Sequence, residues 1–81
     1  MYFVYVIKSL KDGYLYVGHT NNLAERMRQH NTGTVKSTDR RKPFTLLYYE
    51  ASNILEDAIA RERSLKTGFG RAYLKRRLHD I

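Results

Sequence analysis

The sequence predicts an α+β fold, a three-stranded antiparallel sheet flanked by helices in the order ββαβαα. Two aromatic and β-branched runs at the N-terminus are separated only by the turn signal Lys11-Asp12-Gly13, which makes them a hairpin. Two Asn-x-x-Glu pairs, Asn22 with Glu25 and Asn53 with Glu56, each stand before a stretch with apolar residues at helical spacing. A third aromatic and aliphatic run lies between those stretches and supplies the last strand.

Residues 2–9 carry apolar side chains on both parities, so the first strand is expected to be central and buried on both faces. Residues 14–18 form the second strand. A helix should then run from residue 23 to about 31, with Leu23 and Met27 as its core stripe and Gly33 as its C-terminal stop. Residues 32–42 are polar and basic without any apolar period, and read as a long functional loop ended by Pro43. The third strand covers 44–50. From residue 54 to about 66 a helix presents Leu55, Ala58, Ile59 and Leu65 as an apolar stripe. Gly68 and Gly70 are expected to break it, leaving residues 72–79 as a short basic helix with Leu74 and Leu78 as its apolar pair.

With 81 residues there is room for one domain, residues 1–81, with a small core. The absence of cysteine excludes disulfides and thiolate metal sites. The apolar N-terminus is too short to span a bilayer and has neither a basic leader nor a small-residue cleavage site, so a cytoplasmic protein is expected. Fifteen Lys and Arg against eight Asp and Glu, a net charge of +7, favour a polyanionic partner and make nucleic acid the first expectation. The charge is clustered. Lys36, Arg40, Arg41 and Lys42 share the loop, and Arg61, Arg63, Lys66, Arg71, Lys75, Arg76 and Arg77 lie in the C-terminal third, positions from which two groups would grip a phosphate backbone.

The candidate chemistry sits where the second strand gives way to the first helix. Arg26 and His30 are one turn apart on a single helix face, and Tyr5 and Tyr16 bring two of the seven tyrosines to neighbouring strands. Glu62 falls inside the second helix's apolar stripe, where a carboxylate must be paired. An arginine or a divalent cation would serve, or Lys66 if Glu62 lies at the stripe's edge. Other sites are excluded. His19, His30 and His79 lack zinc-like spacing, no glycine loop suits a nucleotide phosphate, and no serine has a base and acid in view. The strands also lack the paired aromatic signatures of an RNA-recognition sheet.

Tyr5, the triplet Tyr16-Val17-Gly18, Arg26, His30 and Ala58-x-x-x-Glu62-x-x-Leu65-Lys66, in that order and spacing, resemble the GIY-YIG nuclease domain over nearly the whole chain, most closely its small stand-alone bacterial members. The resemblance implies a metal-dependent endonuclease that hydrolyses DNA phosphodiester bonds, on branched or damaged DNA in repair or recombination. A non-catalytic basic nucleic-acid-binding module is the alternative. It further implies that Tyr5, Tyr16, Arg26, His30 and Glu62 are catalytic, with Glu62 holding one Mg²⁺ or Mn²⁺ ion. Arg26 would neutralise the phosphate, a tyrosine would orient or deprotonate the attacking water, and His30 would relay the proton. Gly18, His19, Arg40, Arg41, Lys42 and Lys66 would contact substrate, Gly18 because a side chain there would obstruct the phosphate. Phe3-Val4 replaces the first triplet's Gly-Ile, His19 stands where some relatives carry lysine, and the asparagine near the end of many such domains has no clear counterpart. Characterised relatives carry a further domain that chooses the substrate, so specificity here is expected from a protein partner.

Overall fold

The computed structural model describes residues 1–78 and contains three strands and three α-helices in the order ββαβαα. β1 (Tyr2–Ser9) is the central strand, with β2 (Leu15–Thr20) and β3 (Phe44–Ser52) antiparallel on either side. The register places Tyr5 opposite Gly18 on β2 and opposite Tyr49 on β3. A bulge shifts the β1–β3 pairing between Val6 and Ile7, where one extra residue of β3 is accommodated.

Alternation along β1 builds two cores. Val4 and Val6 face one way and pack with Val17, Ala58, Leu65 and Leu74. Tyr5 and Ile7 face the other way and pack with Phe44, Tyr16, Leu23 and Met27. The first core lies under α2 (Leu55–Leu65) and α3 (Gly68–Arg77), the second under α1 (Leu23–Thr32). The sheet is therefore sandwiched between α1 and the α2–α3 pair. Among the described residues no helix is long and apolar enough to cross a membrane.

α1 starts and stops as its signals predict. Asn22 Oδ1 accepts from the Glu25 amide at 3.1 Å, and Gly33, at φ +84°, closes the C-terminus in the left-handed conformation. Glu25 itself turns to Arg28, and the Asn22 amide donates instead to Thr20 Oγ1. The second capping box does not form. α2 has Ile54 at its cap without a side-chain bond, because the Ser52 hydroxyl accepts from the Ile54 amide at 3.1 Å and sets the turn in place of Asn53. Leu55 is 37% exposed and lies outside the buried stripe.

The loop 32–42 contains a short 3₁₀ turn, Asp39–Arg41. Gly68 and Gly70 do not precede the last helix but form its first turn, capped by Thr67, whose hydroxyl accepts from the Gly70 amide at 3.2 Å. Gly70 is there for clearance. A Cβ at that position would collide with the backbone of Ser64 and Leu65, so the glycine lets α3 start hard against the end of α2. The expected end of this helix at His79 lies outside the described residues.

Candidate active site

On the α1 side of the sheet, two polar side chains, His30 and Arg26, meet at the Tyr5 phenol. His30, fully buried, has its Nε2 2.7 Å from Tyr5 Oη and its Nδ1 2.8 Å from Thr38 Oγ1. The Thr38 hydroxyl donates to the Val35 carbonyl, so it accepts from Nδ1–H and leaves the Nε2 lone pair for the Tyr5 hydroxyl. The Tyr5 proton therefore points at His30. Arg26 Nε donates to the same phenol oxygen at 3.4 Å, while its Nη1 is held by Gln29 at 3.0 Å. The Tyr16 ring stands edge-on to His30 with centroids 5.1 Å apart.

This environment fixes protonation. Burial, reinforced by the Arg26 charge, pushes the His30 imidazole down to about 4, so it is neutral at physiological pH. Burial likewise raises the Tyr5 phenol; the hydrogen bond and charge of Arg26 oppose that rise, and the Glu62 carboxylate adds to it. Tyr5 is 1% exposed, whereas Tyr16 is half-buried at the rim. Of the two tyrosines, Tyr16 is the one that reaches solvent.

Gly18 is explained by the same cluster. A Cβ on Gly18 would stand 2.5 Å from Tyr5 Oη and 2.7 Å from its Cζ, so the space ascribed above to an approaching phosphate belongs to the Tyr5 phenol. The neighbouring strand residue, His19, points the other way, toward α2. There its Nδ1 donates to Glu62 Oε1 at 2.6 Å, and Lys66 Nζ donates to Glu62 Oε2 at 2.7 Å. Burial disfavours the Glu62 carboxylate, but Lys66 and His19 outweigh that cost and hold the group below the usual range. The candidate residues thus form two half-sites on opposite faces of β2.

Past the end of β2 the two sides open into one concavity. His19 and Arg26 both line a hollow of about 450 Å³, together with Asn22, Glu25 and Gln29. Glu62, bonded to His19 beside this hollow, offers carboxylate oxygens of the kind a hard, hydrated cation takes. Glu62 is the one carboxylate bonded to His19, and no group of three or more His, Cys, Asp or Glu among the described residues is arranged to enclose a metal. A hydrated Mg²⁺ or Mn²⁺ that keeps most of its water and completes its shell with substrate oxygens fits such a sparse set.

The basic loop behaves differently from the cluster. Lys42 pairs with Asp39 at 2.7 Å, and Arg40 is exposed on the 3₁₀ turn. Arg41 pairs with Asp12 at 2.8 Å, lies over the Phe44 ring at 5.6 Å, and lines a second, larger groove with Tyr16 and Lys66. None of the three joins the Tyr5 or Glu62 half-site. Thr38, which fixes the tautomer of His30, carried no sequence signal, because it lies in the loop without apolar period.

A compact antiparallel sheet thus carries a tyrosine, histidine and arginine cluster on one side of an edge strand and a glutamate on the other. A family model described as the GIY-YIG catalytic domain matches residues 1–77, and the chain belongs to that family. It is similar to a UPF0213 protein of Staphylococcus haemolyticus, 39% identical over 67 residues that make up 82% of this chain and 80% of that protein. A UPF0213 protein of Clostridium perfringens is 42% identical over 67 residues, 82% of this chain and 71% of its own length. The solution NMR structure of a UPF0213 protein from Bacillus halodurans matches with a TM-score of 0.54 at 31% identity, covering 91% of this chain and 82% of that one. Its fold agrees with the three-stranded sheet and helices described above.

Proposed function

We propose that this protein is a metal-dependent endonuclease whose reactive centre is the hollow at the end of β2, hydrolysing phosphodiester bonds in DNA. The observation that carries this reading is the convergence there of Arg26 and His19, with Glu62 bonded to His19. Arg26 binds the non-bridging oxygens of the scissile phosphate and offsets the charge that grows on them as water attacks. Of the two tyrosines Tyr16 has the accessible phenol; it lines the neighbouring larger groove rather than the hollow and would orient the attacking water from that side. Tyr5 and His30 are positioning residues, since both are buried and bonded to each other. Their bond fixes the Tyr5 oxygen so that it can accept from Arg26 Nε and aim the guanidinium. Glu62 would hold one Mg²⁺ or Mn²⁺ ion, which when bound supplies further charge neutralisation at the phosphate. His19 and Lys66 then turn from Glu62 to the anionic substrate.

In sum, one water adds across the P–O bond. Its hydroxyl goes to phosphorus and its proton ends on the departing oxygen. A distorted or branched DNA, presented in the cytoplasm by a protein partner that chooses the site, suits an enzyme of this size. Wild type, Glu62→Gln and Arg26→Ala are to be incubated with labelled DNA and RNA of several forms in Mg²⁺, Mn²⁺ or chelator. Cleavage that needs metal, is lost in Glu62→Gln, and falls by about 10²–10³ in Arg26→Ala is expected. Cleavage that survives chelator refutes the reading, and salt-sensitive binding without cleavage would instead mark a non-catalytic nucleic-acid-binding module.

A further inference from the structure

The larger groove runs between the β1–β2 hairpin and α3, reaches around the β2 edge to Tyr16, and has a volume of about 800 Å³. Five cations line it: Lys8 from β1, Arg41 from the 3₁₀ turn, Lys66 at the end of α2, and Arg71 and Lys75 one turn apart on α3. No acidic residue is among its lining residues, although Asp12 pairs with Arg41 at one end. Its floor includes Leu65 and Leu74, each 1% exposed. Tyr14, at the hairpin end, is 73% exposed. Its backbone is fixed, because its amide donates to Asp12 Oδ1 at 2.9 Å and its carbonyl accepts from the Ser9 amide at 3.0 Å.

The groove shares Tyr16 and Lys66 with the candidate active site, and Lys66 is bonded directly to Glu62. A chain laid along it is thereby led toward the Glu62 half-site. Two features decide what kind of chain. Cations on facing walls with an apolar floor between them fit a flexible polyanion lying inside the groove, whereas a duplex carries its phosphates on a convex cylinder. The exposed Tyr14 face offers a stacking platform, and only an unpaired base has a free face to lay on it.

We propose that this groove binds a single-stranded segment of nucleic acid adjoining the cleaved bond, its phosphates on Lys8, Arg71 and Lys75 and one base stacked on Tyr14. The assignment rests on the nuclease reading above for the direction in which the strand is led. Binding itself is tested without cleavage.

Anisotropy titrations in chelator would compare a labelled single strand with its duplex, using wild type, Tyr14→Ala, Arg71→Ala/Lys75→Ala and Arg28→Ala, the last exposed on α1 on the other side of the sheet from α3. The single strand should bind more tightly than the duplex. The double variant should flatten the slope of log affinity against log salt by about 1.4, two phosphate contacts at ~0.7 each on a single strand. Tyr14→Ala should weaken single-strand binding by roughly 5- to 150-fold with the salt slope unchanged, a separation that general unfolding would not produce. Arg28→Ala should match wild type. Equal affinity for duplex and single strand, unchanged slopes in the double variant, or displacement by polyglutamate as effective as by the competing strand would each overturn the proposal. Metal-dependent cleavage alongside any of those results leaves the nuclease reading standing and removes only the groove assignment. Strand binding as described, with no cleavage in metal, does the reverse.

Discussion

Replacing Gly18 with alanine tests whether the glycine serves the Tyr5 phenol or an incoming phosphate. The added Cβ would meet Tyr5 Oη at 2.5 Å and Cζ at 2.7 Å, both below any real carbon contact. Tyr5 is 1% exposed and its oxygen is bonded to His30 and Arg26, so the ring cannot yield without breaking those bonds. Overpacking of this kind costs about 1–3 kcal/mol, and a strained buried hydrogen bond adds about 1–3 kcal/mol. A total of about 2–6 kcal/mol, at ~4–8 °C per kcal/mol in a domain of this size, is a drop of at least ~8 °C in Tm. Thermal and urea unfolding of Gly18→Ala measure it. Tyr5→Phe in the same chain removes the Oη contact but keeps the one at Cζ, so the double variant should recover part of the loss. A Gly18→Ala protein as stable as wild type but unable to cleave would refute the reasoning, because the missing side chain would then serve substrate.

Three further outcomes follow from the same contacts. His30 is held near 4 in the fold and takes up its proton near 6.5 when unfolded, so between those values the unfolded state binds more protons. Its contribution is fully present above pH 6.5 and is lost as pH falls toward 4, a few kcal/mol in all; urea midpoints against pH should show this slope, and His30→Gln should flatten it. Thr38→Val leaves the buried Nδ1–H of His30 without its acceptor and should cost about 1–3 kcal/mol, while Thr38→Ser should stay near wild type in the same urea titration. Arg61 lies 4.7 Å over the Tyr73 ring and donates to both Glu50 oxygens at 3.0 Å, so Arg61→Ala should loosen α3 by about 1–2 kcal/mol, read as faster hydrogen exchange in Gly68–Arg77.

The strands and α1 were legible because their signals are local: parity along residues 2–9, the turn at Lys11-Asp12-Gly13, and the Asn22 cap. The errors came where two local signals competed or a tertiary contact decided. Ser52 outbid Asn53 at the start of α2, since a hydroxyl two residues before the Ile54 amide closes the shorter turn. Gly70 reads as a breaker until the backbone of Ser64 and Leu65 is seen to occupy the place of its side chain. The propensity cost of glycine in a helix is about 1 kcal/mol, and the Thr67 cap together with the packing of Leu74 offsets it.

The candidate site was legible as a set of residues but not as a geometry. Arg26 and His30 share a helix face by spacing alone, yet spacing does not say that His30 is sealed in the interior while Arg26 lines the hollow. That division follows from Thr38, which lies in the loop and accepts the one ring N–H of neutral His30, at Nδ1. Nor does spacing reveal that adjacent residues of β2 serve opposite faces, Gly18 clearing room for Tyr5 and His19 reaching Glu62. This arrangement depends on β2 being an edge strand. In the order β2-β1-β3 no strand lies outside β2, so groups from the two faces of the sheet can approach each other around its end. On the central strand the same alternation would separate them by a full layer of backbone. The position of β2 in the sheet therefore matters to the chemistry as much as its residues do, and a substitution that extended pairing along its free edge should disable the site while leaving each side chain intact.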